Sequence, residues 1–254
     1  MKRQTFRLLI FLLMLAGLGA FPIIAGASHS WGNYHWARTS NPFTLKLGDN
    51  LTSSWDPYLA TTSSDWSVST VLDTAIVAGQ GWPNCRANKG RVEVCNKTYG
   101  SNGWLGVATV WTNGSHIVQG TVKVNDTYFK MTKYNKLEWK QAVMCQEVGH
   151  TLGLDHQDED FNNTPLGTCM DYSSDPTLNQ HPNAHDYEQL ETTYEHLDGT
   201  TTVSSMPAGM ASGAFESPSQ WGKLVSTSRD GSVSLYARDF GGGHKVFNFV
   251  IWAR

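Results

Sequence analysis

The chain has little charge. Asp, Glu, Lys and Arg make up 16% of its 254 residues, and the net charge is -3. Lys and Arg form no block or stripe, so the electrostatic footprint of a nucleic-acid-binding surface is missing and no nucleic-acid partner is expected. Beyond the N-terminus no apolar run is long enough to propose as a transmembrane helix, so no membrane contact is expected of the mature chain. No internal repeat of useful length occurs, and there are only four cysteines.

What is present begins with a targeting segment. Lys2, Arg3 and Arg7 form a positive start, Leu8 to Ala20 is apolar, and Ala25-Gly26-Ala27 offers the small residues of a cleavage site. The apolar run is short for a bilayer span, so residues 1–27 are read as a signal peptide cut after Ala27, and the protein as secreted. In an exported chain four cysteines imply two disulfides, with three possible connectivities. Cys85 and Cys95 flank a short turn and could staple a hairpin.

Ten Trp and 24 Gly point to a β-rich, loop-rich chain. Strands are expected at 34–38, 43–47, 66–77, 91–95, 104–111 and 115–125, where apolar and polar residues alternate or β-formers cluster. The 104–111 strand is apolar on both faces and should be central. Helices are expected at 51–64, with Trp55 and Leu59 on one face, and at 136–152, where Leu137, Trp139, Ala142, Val143 and Met144 form an apolar surface. A last helix, 187–197, is capped by Asn183 or Asp186. Residues 200–221 read as a linker rich in Thr, Ser, Gly and Pro. Residues 222–254 read as a β-meander too small for its own core, with hairpin signals at Arg229-Asp230-Gly231 and Gly241-Gly242-Gly243, and so should dock on the rest. His35 and His116 are taken as packing or surface residues.

The chemistry gathers between Cys145 and His156. Glu147 and His150 lie one helical turn apart and face the same space. Gly153 can end the helix in a left-handed cap, so that His156 returns towards His150. The stretch Glu147-Val148-Gly149-His150-Thr151-Leu152-Gly153-Leu154-Asp155-His156, with Cys169-Met170-Asp171-Tyr172 downstream, resembles the zinc signature and Met-turn of the metzincin metallopeptidases, in particular a bacterial matrixin-like protein. One position departs: Gln146 stands where the first zinc histidine would be. A neutral amide oxygen is a weaker ligand than an imidazole.

The resemblance implies an α+β fold over 28–199: a twisted, mostly parallel sheet with an antiparallel edge strand, packed on a long active-site helix and followed by a C-terminal helix, with 222–254 as a β appendage. It implies one catalytic Zn2+ held by His150, His156 and Gln146, with Glu147 as general base, Tyr172 as oxyanion donor and Met170 as an apolar floor. It places the 115–125 strand at the sheet edge above the cleft, where a peptide substrate would add as a further strand. A Cys145–Cys169 disulfide would tie the zinc helix to the Met-turn, with Cys85–Cys95 as the second bond. A thiolate from Cys145 or Cys169 in place of the lost histidine is an alternative, and His181 or His185 are reserve ligands. Calcium at the acidic run 157–160 stays unassigned. The expected function is a secreted, monomeric zinc endopeptidase acting on protein or peptide substrates. The alternative is an impaired metzincin-fold protein that binds peptides without cutting them.

Overall fold

A computed structural model of the chain describes residues 28–81, 83–161, 164–203, 215 and 217–254. The expected signal peptide, 1–27, and most of the expected linker, 204–214 and 216, lie outside the described residues. Nine strands and four α-helices follow one another as β1 (His35–Trp36), β2 (Phe43–Asn50), α1 (Asp56–Trp66), β3 (Leu72–Ala78), β4 (Val92–Lys97), β5 (Trp104–Asn113), β6 (His116–Asn125), α2 (Asp126–Phe129), α3 (Leu137–Thr151), α4 (Ala184–Thr193), β7 (Lys223–Thr227), β8 (Val233–Gly241) and β9 (His244–Trp252).

All the strands join one mixed sheet of order β3-β2-β4-β6-β5-β9-β8-β7, with β1 added beside β6. The pairs β2–β3, β2–β4, β4–β6 and β1–β6 are parallel. The pairs β5–β6, β5–β9, β8–β9 and β7–β8 are antiparallel. The architecture is thus α+β, but the sheet is evenly divided rather than mostly parallel, because the C-terminal meander contributes three antiparallel strands.

Two expectations about the edge need correcting. The 116–125 strand is internal, held between β4 and β5. The antiparallel strand that follows β4 in the chain is β5, and its outer side is taken by β9 over Trp104–Asn113. Alternation explains the fit. Phe247, Phe249 and Ile251 of β9 enter the main core, while Val246 and Val250 face the reverse side of the sheet with Trp104, Trp111 and Trp221.

Helices α1 and α3 pack on the core face of the sheet, joined by Gln141 Nε2 donating to Thr62 Oγ1 at 3.0 Å. Gly106 lets α3 approach β5 closely: a Cβ there would lie 2.7 Å from Val143. Trp139, Ala142, Val143 and Met144 pack inward as expected, but Leu137, at the first turn, is 62% exposed. The α1 helix starts five residues later than the pattern suggested, where Pro57 suits the first turn. The expected 66–77 strand is the end of α1, a turn and then β3. The last helix begins at Ala184, set by a capping box in which Asn183 and Asp186 bond reciprocally. Cys85–Cys95 and Cys145–Cys169 are both disulfide-bonded, so no thiolate ligand is available from them.

Candidate metal centre

The C-terminus of α3 fixes the site, and its geometry is dictated locally. A helix leaves its last carbonyls without intrahelical partners. Here Gly153, at φ +98°, forms a Schellman cap: Gly153 N donates to His150 O at 3.2 Å and Leu154 N to Gly149 O at 3.4 Å. Aromatic side chains supply more donors. Trp36 Nε1 reaches Thr151 O at 2.8 Å, Trp31 Nε1 reaches His150 O at 3.2 Å, and Tyr194 Oη donates to Leu152 O at 2.9 Å. Trp66 Nε1 donates to Cys145 O one turn earlier, at 3.2 Å. Much of the tryptophan content is therefore spent pinning this helix end, with each ring filling the core while its N–H closes a carbonyl.

Beyond the cap the chain turns back along the Met-turn, with Gln157 N donating to Met170 O at 2.7 Å. This brings His156 to His150, with ring centroids 4.5 Å apart and planes at 73°. His150 Nδ1 lies 2.9 Å from Leu154 O. A carbonyl only accepts, so Nδ1 carries the hydrogen and Nε2 keeps a bare lone pair. That Nε2 is buried without a hydrogen-bond partner, as are both carboxylate oxygens of Glu147 and Nε2 of Gln146. Met170 packs against α3 at Gly149. A Cβ at Gly149 would fall 2.5 Å from Met170 Sδ and 2.8 Å from Trp66, so no larger residue fits there.

Burial sets the protonation states. It pushes Glu147 well above the usual 4.5, against a smaller pull from the nearby Ala108 backbone, which makes no hydrogen bond of ordinary geometry. Burial, then the neighbouring His156, lowers His150 to about 3. Burial alone would raise Asp155, but the hydrogen bond and charge of His156 hold it at about 2. Burial also raises Tyr172 well above 10, which keeps its hydroxyl protonated.

The predicted residues do not all meet. His150, His156 and Tyr172 are together: Tyr172 Oη lies 2.8 Å from His156 Nδ1 and 2.7 Å from its Nε2. An oxygen equally near both nitrogens lies over the face of the imidazole, in keeping with ring centroids 4.1 Å apart and planes at 35°, and its one hydrogen serves only one of the two. Glu147 is directed at β5, where a Cβ on Gly106 would lie 2.5 Å from its Oε1. Among the described residues it shares no common ligand cluster with the two histidines. The other side of His156 faces Asp155, Nδ1 to Oδ1 3.1 Å, and these two cluster with Glu159 of the acidic run. The reserve ligands are elsewhere: His181 pairs with Asp65 at 2.7 Å, and His185 stacks on His29.

Phe249 is the feature the sequence did not reveal. Its ring stacks on His150, centroids 4.2 Å apart and planes at 12°, and it is 1% exposed. Next to it, a pocket lined by Val143, Gln146, Tyr172 and Asn179 is closed by Ile251, Trp252 and Arg254. Arg254 N donates to Tyr134 Oη at 2.5 Å, and the Arg254 carbonyl accepts from Lys133 Nζ and the Tyr134 hydroxyl. The meander thus covers both the sheet edge and the histidines. The partial alternation of 246–252 hinted at a strand but not at its neighbour.

No protein-family model matches the chain, and no curated protein does. Among solved structures, high choriolytic enzyme 1, a hatching enzyme zinc-protease from the medaka Oryzias latipes, is similar to this chain over 63% of its length and 94% of its own. The two are 10% identical, with a TM-score of 0.36. A likeness this distant carries over neither ligands nor activity.

Proposed function

We propose that the protein is an exported zinc endopeptidase whose cleft is covered by its own C-terminal strand. The observation that supports it best is the pair His150 and His156, with ring centroids 4.5 Å apart and the bare His150 Nε2 buried and unpartnered. Imidazole nitrogens of this kind suit zinc, and the bare His150 Nε2 is a buried acceptor that a cation would satisfy. His150, His156 and the Gln146 amide would hold the ion, with Gln146 as the weakest of the three. Zinc, when bound, supplies Lewis acidity: it polarises a carbonyl and acidifies a water from about 15.7 towards about 7.

The remaining work falls to side chains. Glu147, whose burial raises its proton affinity, takes the proton from the attacking water and passes it to the leaving amine. Tyr172 leaves His156 and donates its hydroxyl to the oxyanion. A peptide substrate would pair with β5 in the place now held by β9, so β9 must detach for cleavage. The peptide-binding alternative draws on Gln146, which weakens the site, and it too requires β9 to leave the strand slot.

The test uses the protein from Ser28 onward, assayed on an unfolded protein substrate with zinc and with a chelator. Chelator-sensitive cleavage, abolished in Glu147→Gln and increased in Phe249→Ala, supports the peptidase. No cleavage with zinc by the wild type, Phe249→Ala or Gln146→His would leave only the binding module.

A further inference from the structure

A second set of histidines converges at the opposite end of the chain's own order. Strand β1 pairs with β6 in parallel, with His35 in register with His116, so both rings project from the same side of the sheet. The turn after α4 brings His196 and Asp198 to them. Asp198 N donates to Arg38 O at 2.9 Å. Asp198 Oδ2 accepts from Arg38 N at 3.2 Å and Arg38 Nη1 at 2.8 Å, and Arg38 Nη2 also donates to the His196 carbonyl. This leaves Oδ1 aimed at three imidazoles, with His116 Nε2 at 3.2 Å, His35 Nε2 at 3.4 Å and His196 Nε2 at 3.8 Å. His35 and His196 present their Nε2 atoms to each other at 3.2 Å.

The tautomer of His35 decides what this means. Its Nδ1 lies 2.7 Å from Asn33 O, so Nδ1 carries the hydrogen and Nε2 offers only a lone pair. A buried, hydrogen-free nitrogen facing a carboxylate oxygen and a second imidazole nitrogen calls for a cation between them. Two ligands at the tetrahedral angle on bonds of about 2.0–2.1 Å stand about 3.3–3.4 Å apart. The three edges here are 3.2, 3.4 and 3.8 Å. The donor set is imidazole and carboxylate, with an orienting hydrogen bond behind the buried ring, as ligating histidines have. His35 is 5% exposed, whereas the His196 side chain is 51% exposed, which leaves a way in from solvent.

We propose that His35, His196 and Asp198 bind one divalent transition-metal ion of the zinc class, separate from the His150–His156 pair, with water in the fourth position. His116 donates to the ligating carboxylate and orients it. The ion clamps β1 to the turn after α4, and so braces the strand whose Trp36 closes a carbonyl at the end of α3. This site stands whether or not the peptidase reading does.

The probe is zinc alone, titrated into metal-free protein from Ser28 onward and followed by elemental analysis, calorimetry and thermal melting. The His150→Ala/His156→Ala variant should still bind one zinc per chain and melt at a higher temperature with it. Adding His196→Ala, or separately the near-isosteric Asp198→Asn, should weaken that binding by at least about 100-fold and remove the thermal shift. His196 is half exposed, so its loss should leave the far-ultraviolet circular dichroism unchanged. If the double variant does not fold, the wild type is compared directly with His196→Ala, and the loss of one zinc per chain supports the site. A fall on His150→Ala alone would concern the other centre. Equal zinc content and equal melting with and without His196 would overturn the proposal and leave the cluster as a proton-sharing network.

Discussion

Replacing Glu147 by Gln should stabilise the metal-free protein at neutral pH while removing peptidase activity. The Glu147 side chain is fully buried, and neither oxygen has a hydrogen-bond partner. Its folded-state proton affinity is raised by desolvation. A raised carboxyl contributes its full stability below the unfolded value, 4.5, and loses it as pH rises towards the folded value. At pH 7 the loss cannot exceed the cost of keeping such a group protonated, about 3 kcal/mol. Gln has the same shape and does not titrate, so the variant escapes that loss. For a chain of this size each kcal/mol moves Tm by about 2–4 °C, giving a gain of at most about 6–12 °C at pH 7 that shrinks to nothing near pH 4.5. His150, neutral through burial, costs stability as pH falls from 6.5 towards about 3, but it does so in both proteins and cancels. Melting curves in chelator from pH 4.5 to 8 are the assay. Parallel Tm profiles for the two proteins would refute the reasoning, since they would mean that Glu147 is solvated or paired.

Gln146→His should raise zinc affinity and turnover by at least about tenfold, because an imidazole replaces a neutral amide oxygen; metal titration with activity measurement checks it. Phe249→Ala removes a fully buried ring and should destabilise the protein by about 3–5 kcal/mol, while quickening access of zinc to His150; denaturant unfolding and metal-uptake kinetics report the two effects. Converting Cys145 and Cys169 to Ala opens a bridge between residues 24 apart and should cost about 3–4 kcal/mol, read as a lower denaturant midpoint.

The sequence was readable where periodicity and local chemistry decide structure. The α3 helix, its Gly153 cap and the return of His156 follow from a few neighbouring residues, and the structure brings the two imidazoles together. The Cys145–Cys169 bond was suggested by the signature and is present. Strand order was not readable, since periodicity marks 104–111 and 115–125 as strands but only long-range pairing separates an inner strand from an outer one. Phe249 and Asp198 stayed hidden for the same reason. Nothing near Phe249 in the chain points to His150, and Asp198 lies just past the expected helix with no motif of its own. His35 and His116 each looked like an isolated ring, because their partnership depends on β1 meeting β6 in register.

Strand β9 holds the last turn of a long loop closure: Thr109 Oγ1 donates to Asn248 Oδ1 across 139 residues. Pairings so remote in sequence form late and slowly. While the chain is being made, β5 is finished long before its neighbour exists, and its outer rim is a raw template for any extended segment nearby. A nascent chain cut short before β9 would carry that rim permanently and would tend to aggregate with its siblings.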